Sequence, residues 1–250
     1  YSVAYNLMLV PVERIAAPIR QLLFPAFARI QDDTARLASA WLRVSRLVAA
    51  ICAPAMVGLA IVAHDFVQVV LGERWDRAAP VVQILAWVGL LQSVESLNGS
   101  LLMARDRSGT LLRFSAAALA LSLVGFGVGL HWGIVGVATG YAIATTLSWI
   151  ALARLTARAI GSSLMDLWRS VAGIVQASLV LAAGVLAGRL ALVANGVPAG
   201  PRLAILVALG AALYVPCCAW RAPELVSEVR GLRPRRRGAA AAPGATGGGS

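Results

Sequence analysis

Along most of the chain the apolar residues come in runs of about 20 rather than recurring every three or four positions, and the polar residues gather between the runs. A run of that length suits a helix rising about 1.5 Å per residue through a hydrocarbon core about 30 Å thick. The pattern predicts about seven spans, near 3 to 28, 46 to 64, 81 to 103, 112 to 131, 133 to 153, 171 to 194 and 203 to 220. The fold class that follows is all-α, a polytopic transmembrane helical bundle occupying residues 1 to 230. Residues 231 to 250, rich in Ala, Gly and Pro, read as a disordered tail.

Two spans break the apolar pattern. In the first, Asn6, Glu13 and Arg20 recur every seven residues and share one helical stripe, with Arg14 and Gln21 about 100° further round. Pro11, Pro18 and Pro25 recur with the same period away from that face, and each removes a helix hydrogen bond. Charge and irregular backbone at membrane depth are tolerated where they face a cavity or a partner helix. Arg14 is then either a cavity cation or one half of a structural ion pair with Glu13, and Arg20 either joins it or reaches the interface past Phe27. In the third span Gln92, Glu95, Ser96 and Gly99 lie within about 100° of one face, with Asn98 about 60° beyond. Glu95 admits three readings: an ion pair with Arg14 or Arg20, a proton- or cation-coupling group, or a neutral packed acid.

Between the spans, residues 29 to 46 carry Leu37, Trp41 and Val44 at helical spacing, with Asp32 or Asp33 able to cap a helix start. They predict either an amphipathic elbow, its Arg residues at headgroups and its Trp and Leu in the interface, or a plain solvated connector. Asp65 to Pro80 is expected to be a short loop with Trp75 as an interfacial anchor. Gly125 and Gly129, Gly136 and Gly140, and Gly184 and Gly188 repeat at four-residue spacing, which lets helices approach closely in lipid.

Composition agrees with the membrane reading: 59% hydrophobic and 13% charged residues, with a mean hydropathy of +0.78. The net charge of +11 comes from 22 Arg, with no Lys, against 11 acids, a balance that invites a nucleic-acid reading until the Arg are placed. Sixteen fall in the segments 29 to 46, 104 to 113, 154 to 170 and 221 to 250, all on one side of the predicted topology. That bias points to a cytoplasmic side with a cytoplasmic C-terminus, and away from nucleic acid. The tail cations Arg233 and Arg235 to Arg237 serve either the anionic leaflet or a stop-transfer signal. His64 and His131 lack a third ligand at zinc spacing, and Cys52, Cys217 and Cys218 form no disulfide framework. No metal, cofactor or catalytic set is indicated, and the predicted loops on the other side are too short for an enzyme of sugar transfer.

Three blocks, FPAFARIQDD at Phe24 to Asp33, LGERWDRAAPVVQILAW at Leu71 to Trp87 and GIVGVATGYA at Gly133 to Ala142, resemble in order and spacing the lipopolysaccharide and polysaccharide flippases. These belong to the multidrug, oligosaccharidyl-lipid and polysaccharide exporter superfamily. The resemblance covers the chain to about residue 230 and implies the second, C-terminal lobe of a two-lobed transporter. The chain opens at Tyr1 inside a span, so a longer protein with a preceding N-terminal lobe is expected. By the same resemblance the substrate is a lipid-linked oligosaccharide, moved across a bacterial inner membrane with lipid as the other partner. Arg14, Arg20, Glu13, Gln92, Glu95 and Asn98 are the candidate substrate-binding residues. An ion-coupled multidrug exporter and a non-transporting assembly subunit are the competing readings.

Overall fold

A computed structural model describes residues 33–105 and 107–221. The first predicted span, with Glu13, Arg14 and Arg20, and the tail at 231 to 250 lie outside the described residues. Six long helices follow one another: α1 (Thr34–Val70), α2 (Ala79–Ala104), α3 (Ser108–Gly129), α4 (Gly133–Ala159), α5 (Leu164–Ala194) and α6 (Ala199–Arg221). Short 3-10 turns, η1 (Glu73–Ala78) and η2 (Leu130–Trp132), link α1 to α2 and α3 to α4. Five stretches among the described residues are long and apolar enough to cross a membrane: Thr34–Val70, Glu73–Met103, Ser108–Ala159, Leu164–Ala194 and Ala199–Cys218. The third, 52 residues long, folds back at η2 into the hairpin of α3 and α4.

Local signals explain the boundaries. Asp33 Oδ1 accepts from the Arg36 backbone N–H at 3.0 Å and caps α1. Ser163 and Asp166 form a reciprocal capping box at the start of α5, the Asp166 N–H donating to Ser163 Oγ at 3.2 Å and the Ser163 N–H to Asp166 Oδ2 at 2.9 Å. Beyond the ends of α4 and α5, Gly161 and Gly196 adopt φ of +68°. Ser162 N–H bonds Ala157 O and Val197 N–H bonds Leu192 O, closing both helices with the left-handed termination that favours glycine.

Helix α1 is the centre of the assembly, packed against α2, α5 and α6; α4 lies against the other side of α2, and α3 rests mainly on α4. Residues 34 to 46 do not form a surface elbow. They are the first turns of α1, a helix of 37 residues that continues through Pro54. The reason is that the apolar stripe of Leu37 and Trp41 is covered by protein: both are fully buried among Leu101 of α2, Ala157 of α4, Ile160 just past its end and Leu167 of α5. Arg36 and Arg43 occupy the exposed side of the same turns, and Arg46 Nε donates to Ser170 Oγ of α5 at 3.1 Å.

The expected loop from Asp65 is likewise shorter, because α1 runs on to Val70 and Asp65 is fully buried within it. A second core joins α1 to the α5/α6 hairpin through Val62, Ala177, Leu181, Val185, Leu206 and Tyr214, whose hydroxyl donates to Ala50 O at 2.8 Å.

The glycine pairs pack helices together as their spacing predicts. A Cβ on Gly125 would lie 2.7 Å from the Gly140 carbonyl oxygen, and Gly129 and Gly136 meet still more closely, so α3 and α4 touch backbone to backbone. Gly188 instead receives a side chain, Leu209 of α6, within 2.7 Å of where its Cβ would be, and Gly184 receives Leu213 one turn away.

Candidate functional site

Glu95 lies about 24 Å along α2 from Ala79 and about 14 Å from Ala104, well inside a slab about 30 Å thick. Three-residue steps place it between Gln92 and Asn98 around the helix. Gln92 turns toward α4, where its Nε2 donates to the Tyr141 hydroxyl at 2.8 Å. Asn98 turns toward α1 and is fully buried, its Oδ1 accepting from Trp41 Nε1 at 2.9 Å. Glu95 is half-buried between these two contacts, and among the described residues it has neither hydrogen bond nor ion pair. A further polar link, Trp87 Nε1 to Thr146 Oγ1 at 3.1 Å, fixes α2 against α4.

The described residues thus bring Gln92, Glu95 and Asn98 to one side of α2, with the first and last in polar contacts to flanking helices. Glu13, Arg14 and Arg20, the expected opposite half of the site, lie outside the described residues. Among the described residues the Asn98 Nδ2 group has no hydrogen-bond partner although buried, and the same holds for Trp149 Nε1 and Thr156 Oγ1 on α4 and Ser45 Oγ on α1.

The Trp41 contact makes a clear expectation. Asn98→Leu strands the indole N–H in an apolar setting and should destabilise the protein by about 1–3 kcal/mol. Trp41→Phe combined with Asn98→Leu should cost less than the two single substitutions summed, because no orphaned donor is left. Thermal unfolding of the four proteins in detergent measures this, and strict additivity would show that the bond contributes nothing.

At the other end of α1, the sequence pattern gives no hint of a charged cluster that joins three helices. Asp65 of α1 accepts at Oδ2 from Arg189 Nε of α5 at 2.8 Å, and at Oδ1 from Arg202 Nε of α6 at 2.7 Å. Arg202 Nη2 contacts the same Oδ1, and its Nη1 donates to Val197 O at 3.2 Å. Asp65 is 0% exposed, Arg189 24% and Arg202 12%. Nearby on the same turn of α1, Gln68 Nε2 donates to Asp76 Oδ2 at 3.3 Å and lies 3.2 Å from His64 Nε2. Among the described residues no three His, Cys, Asp or Glu side chains are grouped to hold a metal ion.

Residues 1–80 match the family described as Polysaccharide biosynthesis protein. The lipopolysaccharide biosynthesis protein WzxC of Escherichia coli (strain K12) is 38% identical over 151 residues, 60% of this chain and 31% of that protein. The teichuronic acid biosynthesis protein TuaB of Bacillus subtilis (strain 168) is 29% identical over 219 residues, 86% of this chain and 45% of that protein. The succinoglycan biosynthesis transport protein ExoT of Rhizobium meliloti (strain 1021) is 29% identical over 86 residues, 34% of this chain and 17% of that protein. The chain therefore spans less than half the length of these relatives. No solved structure matches it. A helical, apolar chain with stretches long enough to cross a membrane is thus similar to several bacterial polysaccharide and lipopolysaccharide biosynthesis proteins, one of them named as a transport protein.

Proposed function

We propose that the protein is a flippase that moves a lipid-linked oligosaccharide across the bacterial cytoplasmic membrane for polysaccharide or lipopolysaccharide biosynthesis, and that this chain forms the second of its two helical lobes. The observation that carries the reading is Glu95, a half-buried carboxylate midway along a membrane-length helix, in a chain whose relatives are polysaccharide biosynthesis and transport proteins. In this reading Glu95 and Gln92 border the substrate path, Asn98 holds their face of α2 through Trp41, and Arg14 and Arg20, with Glu13 beside them, supply the opposing cations. Arg is suited to the task because its fork of donors matches phosphate and stays charged at any depth. In the same reading the Trp41 end of the bundle, toward which the Arg-rich segments lie, faces the cytoplasm, and so does the C-terminus. Moving an intact molecule across a membrane makes and breaks no covalent bond, so no cofactor or catalytic group enters this reading.

The test is complementation of surface polysaccharide in cells lacking their own exporter, alongside the amount of protein in the membrane. Arg14→Ala should lower export on the order of 100-fold at normal abundance, in keeping with loss of a charge-assisted contact to phosphate. Arg14→Lys should recover part of it, and Arg20→Lys should be milder because that side chain can reach the interface. Full export by a normally abundant Arg14→Ala protein would overturn the cationic-path reading. An ion-coupled multidrug exporter is the second reading, favoured by the lack of a cation partner for Glu95 among the described residues; it requires Glu95→Gln to abolish drug efflux while Arg14→Ala leaves it intact.

A further inference from the structure

The charged cluster on α1, α5 and α6 is not balanced. One carboxylate, Asp65, faces two guanidinium groups, Arg189 and Arg202, which leaves one positive charge in excess. Arg202 is fully committed, with Nε and Nη2 on Asp65 and Nη1 on the Val197 carbonyl. Arg189 is not: among the described residues it donates through Nε alone, so both Nη groups remain available, and the side chain is 24% exposed. Arg202 also sits in the first turn of α6, where the helix N-terminus adds partial positive charge instead of relieving it. Among the described residues Asp65 is the one acid paired with Arg189 and Arg202, and both of its oxygens are engaged.

Depth supports an anion as the counterpart. Asp65 lies five residues before the end of α1 and Arg189 five before the end of α5, each about 7 Å from the terminus. In helices 23 to 37 residues long that level falls where hydrocarbon gives way to headgroups. A partly exposed guanidinium edge at that level, held in fixed orientation by a buried carboxylate, is arranged for two parallel hydrogen bonds to a tetrahedral oxyanion.

We propose that Arg189, oriented by Asp65, is an anion site for a phosphate group, either the diester of a phospholipid headgroup or a soluble phosphate. This site stands at the opposite end of α1 from Trp41 and does not depend on the protein being a flippase. The decisive measurement leaves the protein unaltered. The protein in phosphatidylcholine nanodiscs is treated with phenylglyoxal, and modification of Arg189 is followed by peptide mass spectrometry. Three media are compared: neutral lipid alone, neutral lipid with phosphatidylglycerol, and neutral lipid with inorganic diphosphate in the buffer. Modification of Arg189 should slow about threefold when the site is largely occupied, while exposed Arg36 at the opposite end serves as the reference. Slowing only with phosphatidylglycerol assigns the headgroup, slowing only with diphosphate assigns a soluble phosphate, and slowing in both assigns the shared chemistry. Equal modification in all three media overturns the site. As a second measure, the anion that protects Arg189 should raise the melting temperature of the wild-type protein but not of Arg189→Gln; equal stabilisation of both would also overturn it.

Discussion

Asp65→Ala should lower the melting temperature of the detergent-solubilised protein by roughly 10 °C, corresponding to about 3 kcal/mol. The acid is fully buried and joins three helices, so its removal leaves Arg189 and Arg202 facing each other beside the positive end of α6. Removing one partner of a buried ion pair costs about 3–5 kcal/mol, and the lower end applies because both guanidinium groups retain some solvent contact. Asp65→Asn should fall between, since the amide oxygen can still accept a hydrogen bond. The triple replacement Asp65→Leu, Arg189→Met and Arg202→Met should regain most of the loss, because an apolar set of similar volume leaves no stranded charge. If Asp65→Ala melts like the wild type, the cluster is solvated and contributes nothing to the fold.

Gly140→Val should be at least as damaging, by a different route. The Cβ of any larger residue there would overlap the Gly125 carbonyl, and the obstacle is backbone, so no rotamer change relieves it. The α3/α4 hairpin must separate, at a cost of about 3 kcal/mol or more, and with α3 resting mainly on α4 it has little else to hold it. Gly127→Val is the control, because nothing lies within 4 Å of the position its Cβ would take. Membrane abundance and melting temperature should therefore fall for Gly140→Val and stay near wild type for Gly127→Val. Equal loss in both would mean that glycine matters here for the helix itself rather than for the contact.

What could be read from the amino-acid sequence was whatever is local. The predicted segments from 46 to 220 each fall within a helix or its terminal 3-10 turn, since an apolar run declares itself over 20 residues. The Asp33 cap and the four-residue glycine spacings were legible for the same reason. The failures arise where the partner is remote. Leu37 and Trp41 carry a surface-helix pattern among Arg residues, and only Leu101, Ala157, Ile160 and Leu167, far along the chain, reveal that protein rather than lipid covers them. Asp65 stood just past an apolar run and so looked like the start of a loop. Its two cations lie 124 and 137 positions away, and no periodicity within one helix can announce such a pairing. Asn98 was read as part of the polar side of α2, but it is fully buried and the indole that engages its oxygen is 57 residues earlier.

The length of α1 has a mechanical consequence. At 37 residues it is about 55 Å long, a rod tied near one end by Trp41 to Asn98 of α2 and near the other by Asp65 to α5 and α6. The two ties are 24 residues apart, about 36 Å and about 120° round the axis. A rocking of the α5/α6 pair against α2 and α4 must then either break a tie or flex the rod. Pro54 lies near the midpoint between the ties, where the proline has removed a backbone hydrogen bond and bending meets least resistance. Because α5 and α6 also grip the first half of α1, through Ser170 on Arg46 and Tyr214 on Ala50, bending at Pro54 would let the charged end swing while those two contacts hold the Trp41 half in place.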